Sequence, residues 1–259
     1  MLKEEQQIGE SCCGRIYRTD IVRALLGDCW HPGGLTLTAE LARLTDLCSS
    51  GVVLDVACGN GTTASFLAKE FGCKIVGLDI ILENAKEAAK KYEWNEFIVS
   101  DSLRVPLADG SFDAAILECT LSSFRNKKEV LQEVSRVLKS NGRVGISDVV
   151  VSGDIPEELK DSHLQELCVA GALSLEQYSE LLEKAGFDTI VRQDRRHEAL
   201  EFIESIRKKL FIAQLLVGVG KLSVRKETID NAKRLAALSK EAIENGKLGY
   251  GVIVGQKER

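Results

Sequence analysis

Residues 52–64 read VVLDVACGNGTTA, and this stretch decides the fold. Its first half is an almost unbroken apolar run with β-branched residues, the pattern of a strand covered on both faces. Its second half holds Gly59-x-Gly61-x-x-Ala64, glycines that let a backbone turn tightly and approach a ligand, opening a helix. Outward from there the pattern repeats. KIVGLD is a second strand, ENAKEAAKKYE a helix, NEFIVSD and SFDAAILE the third and fourth strands. KKEVLQEVSRVLK is a helix that Asn126 and Glu129 open and Asn141-Gly142 closes, and RVGISDVV is the fifth strand. Strands alternating with amphipathic helices predict an α/β protein with a doubly wound, mostly parallel sheet.

Further out, Thr19 and Asp20 cap a helix, IVRALLG, ahead of a Trp30-His31-Pro32-Gly33-Gly34 loop. Leu37, Leu41, Leu44 and Leu47 then stand at helical spacing. Residues 1–50 are therefore expected to form an N-terminal helical lobe over the site, and 51–196 the core. Within the core Ser174 and Gln177 form a capping box, and FDTIVRQD is a strand. A helical hairpin at 197–246 precedes LGYGVIVGQ, the final strand, in 247–259. That insertion far exceeds an ordinary loop and is a candidate lid or homodimer surface.

Composition bounds the function. The 259 residues carry 34 Lys+Arg against 39 Asp+Glu, a net charge of −5, which argues against nucleic acid or an anionic membrane as the main partner. No apolar run approaches the roughly 20 residues of a membrane span. The start, MLKEEQQIGE, lacks the pattern of a secretory signal, so a cytoplasmic location is expected. The 8 Cys are then free thiols rather than staples.

Asp79 ends the second strand 20 residues after Gly59, the spacing of an acid for ribose hydroxyls. Asp55, four residues before Gly59, would repel a pyrophosphate and welcome an ammonium group. That combination favours S-adenosylmethionine (SAM) over a dinucleotide. Ala57, Cys58, Gly59 and Gly61 would line it, with Ile80 beside the ribose acid. Asp101 would meet the adenine amine, and Ser102 and Leu103 the ring edge.

LDVACGNG, VGLD, SDSLRVPLADGSFDAAI and EVSRVLKSNGRVGISDV, in this order over residues 50–150, resemble the class I SAM-dependent methyltransferases. The resemblance implies a seven-stranded sheet whose last strand is antiparallel and slots between others. LECTLSS and SDVVVSGDIPEEL…LCVAGALSLEQYSELLEKAGF further resemble the arsenite methyltransferases. That resemblance implies that Cys119, Cys168 and one of Cys12 or Cys13 hold trivalent arsenic as a small-molecule acceptor. The arsenic lone pair would take the methyl group, with no general base. Glu118 before Cys119, the surroundings of Cys12-Cys13 and the hairpin depart from the arsenite pattern.

Three other readings stand beside this one. A small-molecule O-, N-, C- or S-methyltransferase would use Glu118 as general base. A nicotinamide-dependent oxidoreductase would use the same glycine loop. A non-catalytic sensor would only bind. Cys29, Cys48 and Cys73 read as core or turn residues, and His31 and His163 as structural. Asp148 is a substrate contact or a cap. Arg195-Arg196-His197 and Arg207-Lys208-Lys209 read as solvated helix faces.

Overall fold

The computed structural model describes residue 29 and residues 31–93, 95–160 and 168–258. The IVRALLG helix, Cys12, Cys13, Trp30 and His163 lie outside the described residues.

Seven strands run β1 (Val52–Val56), β2 (Lys74–Asp79), β3 (Glu96–Val99), β4 (Phe112–Glu118), β5 (Leu138–Val151), β6 (Phe187–Asp194) and β7 (Leu248–Lys257). They form one sheet in the order β3-β2-β1-β4-β5-β7-β6. β1 to β5 are parallel, and β7 is antiparallel to both β5 and β6, between which it slots. The chain winds from β1 toward one edge and from β4 toward the other. The carboxyl ends of β1 and β4 are thus adjacent at the point of reversal, where open α/β sheets place ligands.

Helix α1 (Gly34–Leu44) buries Leu37 and Leu41 on one face of the sheet. Glycine is required at Gly145 on β5, where a Cβ would stand 2.6 Å from the Thr45 methyl and 3.0 Å from Leu41. Helix α2 (Thr62–Phe71) lies on the same face through Ala64 and Leu67. Helix α3 (Leu82–Lys91) packs on β2 and β3. The opposite face takes α4 (Lys127–Val137) and, after the short α5 (Glu157–Lys160), α6 (Leu175–Lys184). Val130, Leu131, Val134 and Val137 of α4 are all buried, the i, i+3/i+4 stripe its sequence shows. Ser174 and Gln177 make both bonds of the capping box expected at α6.

α7 (Arg196–Gly218) and α8 (Lys226–Glu244) pack on each other and return the chain to β7. Through Ala199, Ala242 and Ile243 their sheet-proximal ends join the core that also holds Leu37, Leu41 and Tyr250.

Three local expectations need correction. Asn126 does not cap α4 with its side chain; its amide donates to Glu129 at 3.4 Å instead. Asn141 does not close that helix, which ends at Val137. With φ 61° it makes a left-handed turn near the start of β5, so the chain bends after the strand has begun. Arg195 is no solvated face: its guanidinium joins Glu40 on α1, Glu198 and Gln193, tying the start of the hairpin to α1.

Candidate active site

The glycine loop follows β1 in a left-handed run, with positive φ at Ala57, Gly59 and Gly61. Gly61 is irreplaceable on two counts. Its φ is 75°, and a Cβ would stand 2.8 Å from Ala88 and from the Phe97 ring. Asp79, at the end of β2, holds the loop in place. Its two oxygens accept from Gly59 N at 2.9 Å and Ile81 N at 2.8 Å, and Asn84 donates at 3.4 Å. Burial raises the Asp79 carboxyl above its ordinary range, opposed by those amide donors. Ile80, next to it, is half-buried. Cys58 is buried, and burial followed by the Asp55 and Asp79 charges pushes its thiol up, so it stays protonated within the loop.

Asp101 lies beyond β3, where its Oδ1 accepts from Leu103 N at 3.0 Å in an Asx turn. Ser102 is buried, and Leu103 packs into the core. This segment is braced by Arg136 of α4, which donates to the carbonyls of Val105 and Leu107 at 2.8 and 2.9 Å and pairs with Glu133 and Asp109.

Between the ends of β1 and β4 lies a cluster that no short stretch of sequence announces. The Glu118 side chain is 5% exposed and is met by donors from three residues. His31 Nε2 lies 3.3 Å away, Thr38 Oγ1 donates at 3.0 and 3.1 Å, and Thr63 Oγ1 donates at 2.7 Å. His31 Nδ1 sits 3.1 Å from Pro32 O, and its Nε2 also 3.2 Å from Cys29 Sγ. Both ring nitrogens thus face acceptors, the setting of an imidazolium. Burial pulls His31 down, but the Glu118 charge and its bonds outweigh this and hold it well above 6.5. Burial likewise pushes Glu118 up, and His31 with the two hydroxyls brings it below its ordinary value. Both shifts favour the ionised His31–Glu118 pair.

Asp55 has no such counterion. It is 3% exposed, its Oδ2 has no hydrogen-bond partner, and burial with the Glu118 and Asp79 charges raises its carboxyl to about 8. A buried oxygen without a partner, beside the Glu118 and Asp79 charges, fits an incoming cation such as the SAM ammonium group.

On the β5 side, Cys119 and Cys168 come together. The Cys168 thiol donates to the Cys119 carbonyl at 3.4 Å. Both cysteines have left-handed backbones, φ 51° and 65°, a strained state that non-glycine residues rarely hold. Cys119 is half-buried and Cys168 buried. Asp148 accepts from Ser122 N at 2.8 Å and Ser122 Oγ at 2.7 Å, so it anchors the turn after Cys119. Burial raises it to about 6 against those bonds. Tyr250 of β7 donates to Ser147 O at 3.1 Å and lies close enough for the Cys119, Asp148 and Glu118 charges to add to burial in raising its phenol. Among the described residues, no group of three or more His, Cys, Asp and Glu is gathered tightly enough to hold a metal ion.

Of the remaining cysteines, Cys48 is an exposed turn residue, whereas Cys73 is buried with its thiol toward Leu67 O. Cys29, expected as packing, instead touches the His31–Glu118 pair. The residues that sequence reasoning passed over are Cys29, Thr38 and Thr63, with His31 noted but left structural. The one local signal was Cys29-x-His31 ahead of Pro32-Gly33-Gly34.

Comparison with known proteins accords with this geometry. A family described as "Methyltransferase domain" matches residues 47–186. The chain is 30% identical over 171 residues to Methyltransferase GfsG of Streptomyces halstedii, covering 62% of this chain and 61% of that one. It is 29% identical over 187 residues to an arsenite methyltransferase of Halobacterium salinarum, covering 69% of this chain and 47% of that one. The chain thus spans about half to three fifths of the length of these curated relatives. A phosphoethanolamine N-methyltransferase 2 from Haemonchus contortus, solved in complex with SAM, has the same fold. Its TM-score is 0.82 at 19% identity, over 99% of this chain and 62% of that one. The oxidoreductase reading falls with the family match, which covers the glycine loop and both strand-end acids. The chain belongs to the methyltransferase-domain family.

Proposed function

We propose that this chain transfers a methyl group from SAM to trivalent arsenic held by cysteine thiolates. SAM supplies a sulfonium already activated for in-line displacement, so the protein's part is positioning and exclusion of water. Asp55 would take the ammonium group, and Ala57, Cys58, Gly59 and Gly61 would line the amino-acid end. Asp79 with Ile80 would meet the ribose, and Asp101, Ser102 and Leu103 the adenine.

The observation that carries the acceptor assignment is the meeting of Cys119 and Cys168. They are 49 residues apart in sequence, each is held in strained backbone, and both lie beside the β4 end. Soft thiolates suit a thiophilic centre. A third thiolate would come from Cys12 or Cys13, outside the described residues. Cys168 is 1% exposed, so acceptor entry requires its segment to shift. The rival reading, Glu118 as base for an oxygen or nitrogen acceptor, meets the fact that the carboxylate already accepts from His31, Thr38 and Thr63.

Calorimetry tests the assignment. SAM is titrated first, then arsenite in the presence of S-adenosylhomocysteine. Arsenite should bind the wild type and lose at least roughly 10- to 100-fold in affinity in Cys119→Ser and in Cys168→Ser, the loss that follows removal of even a group supporting a metal ligand. SAM affinity should stay the same. Unchanged arsenite binding in both variants sinks the acceptor assignment and leaves the SAM site standing.

A further inference from the structure

We propose that the tip of the α7–α8 hairpin docks on an anionic lipid surface. The inference is independent of which acceptor is methylated. A net charge of −5 and the lack of a spanning run set membranes aside for the chain as a whole. The tip has the opposite local sign. Residues 207–226 contain six basic residues, Arg207, Lys208, Lys209, Lys221, Arg225 and Lys226, and no Asp or Glu.

The same segment carries an apolar face that the fold does not cover. Phe211, Ile212, Leu215, Leu216 and Val219 are 38–68% exposed. Their spacing puts Phe211, Ile212, Leu215 and Leu216 on one stripe of α7, opposite the buried Leu210 and Ala213, with Val219 just past its end. They are five of the eight large hydrophobics that stand exposed among the described residues; the other three, Leu82, Val99 and Ile190, are scattered. The stripe is open beyond the helix too, since a Cβ added at Gly218 or Gly220 would meet nothing within 4 Å.

Lys208 extends the stripe at one end, and Lys221, Arg225 and Lys226, all exposed, cluster beyond the other. Arg207 pairs with Glu204, which Lys240 also neutralises, so this nearby acid adds no net repulsion. Glu227 and Asp230 begin the acidic complement only past the tip. Exposed Phe, Ile and Leu flanked by Lys and Arg is the composition of an interfacial helix, which sinks its apolar face to the acyl boundary and leaves its cations at the headgroups. A second copy of the chain would bring another set of six cations to the contact, so like charges oppose that occupant. No helix among the described residues is long and apolar enough to cross a membrane, so the contact is peripheral.

Flotation of the full chain with vesicles tests the proposal. Vesicles of neutral phosphatidylcholine are compared with vesicles containing phosphatidylglycerol, at low and high salt. The chain should float with the anionic vesicles only, and salt should weaken the binding. Removing Lys221, Arg225 and Lys226 together as alanines should lower partitioning on the order of 100-fold, about fivefold per charge. Phe211→Glu with Leu215→Glu should abolish it. Unchanged Tm in both variants separates loss of docking from loss of fold. No flotation, or equal flotation on both vesicles, overturns the proposal. So does a wild-type dimer without vesicle binding that the Phe211→Glu, Leu215→Glu variant splits, which would assign the face to a second copy.

Discussion

Asp55 is a carboxylic acid kept near a pKa of 8 by burial and by the charges of Glu118 and Asp79. Its behaviour follows from sign alone. In the free protein it holds a proton below about 8, and a bound cation favours its ionised form. SAM binding should therefore release protons, and affinity should rise up to about tenfold per pH unit until pH 8, then level off. Asp55→Asn should flatten that profile and weaken SAM about 10- to 100-fold at pH 8, the worth of a charge-assisted bond. Calorimetry in buffers of different ionisation enthalpy reads both; an equal pH slope in wild type and variant contradicts the assignment. The folded pKa also lies above the unfolded value, so the ligand-free fold loses stability at this residue as pH rises from about 4 to 8. Asp55→Asn should then melt higher than wild type at pH 9 without ligand.

The place of this residue was legible in the sequence because β1, the glycine loop and Asp79 lie within 28 residues, whereas the Glu118 charge that helps raise its pKa comes from the distant β4 end. Glu118 itself was not legible. Thr38 reaches it across 80 residues and Thr63 across 55, so the side chain that looks like a free base is a closed pair with His31. Such partners follow from the sheet order, which no local pattern encodes.

At the scale of elements, the glycine loop and α2 form one unit clamped against α3 and β3. Gly61→Ala meets both a positive φ and a Cβ 2.8 Å from Ala88 and Phe97. It should lower stability by about 1–3 kcal/mol and weaken SAM more than it weakens the fold. A thermal melt with and without SAM reads the two effects, and a variant that melts like wild type in both states refutes the clamp. The elements themselves were largely readable, because hydrophobic period and strand–helix alternation are local. Their ends were less so. Asn126 and Asn141 carry the right chemistry for caps, but the Asn126 amide turns to Glu129 and strand pairing overtakes Asn141. Leu138 starts β5 beside Phe112, and that pairing ends α4 before Asn141 is reached.

For the whole molecule, β1, β4 and β5 sit inside the sheet with partners on both sides, while β3 and β6 are its edges. Hydrogen exchange should follow this order, with β1, β4 and β5 opening only on global unfolding. The hairpin tip at 219–225 should exchange fastest in free protein and slow with anionic vesicles. Protection of the tip in the free monomer would contradict an open surface. The antiparallel β7 and the hairpin before it were both expected from sequence. The hairpin's exposed stripe was not, because only the fold shows which side of α7 the core leaves bare.

Methyl transfer itself tests the central claim most directly. The full chain is incubated with arsenite, a thiol and SAM labelled in its methyl group, and the arsenic species are separated. The label should appear in methylated arsenic with wild type and vanish with Cys119→Ser. SAM bound and no label in any arsenic species, or equal labelling by Cys119→Ser, would contradict it.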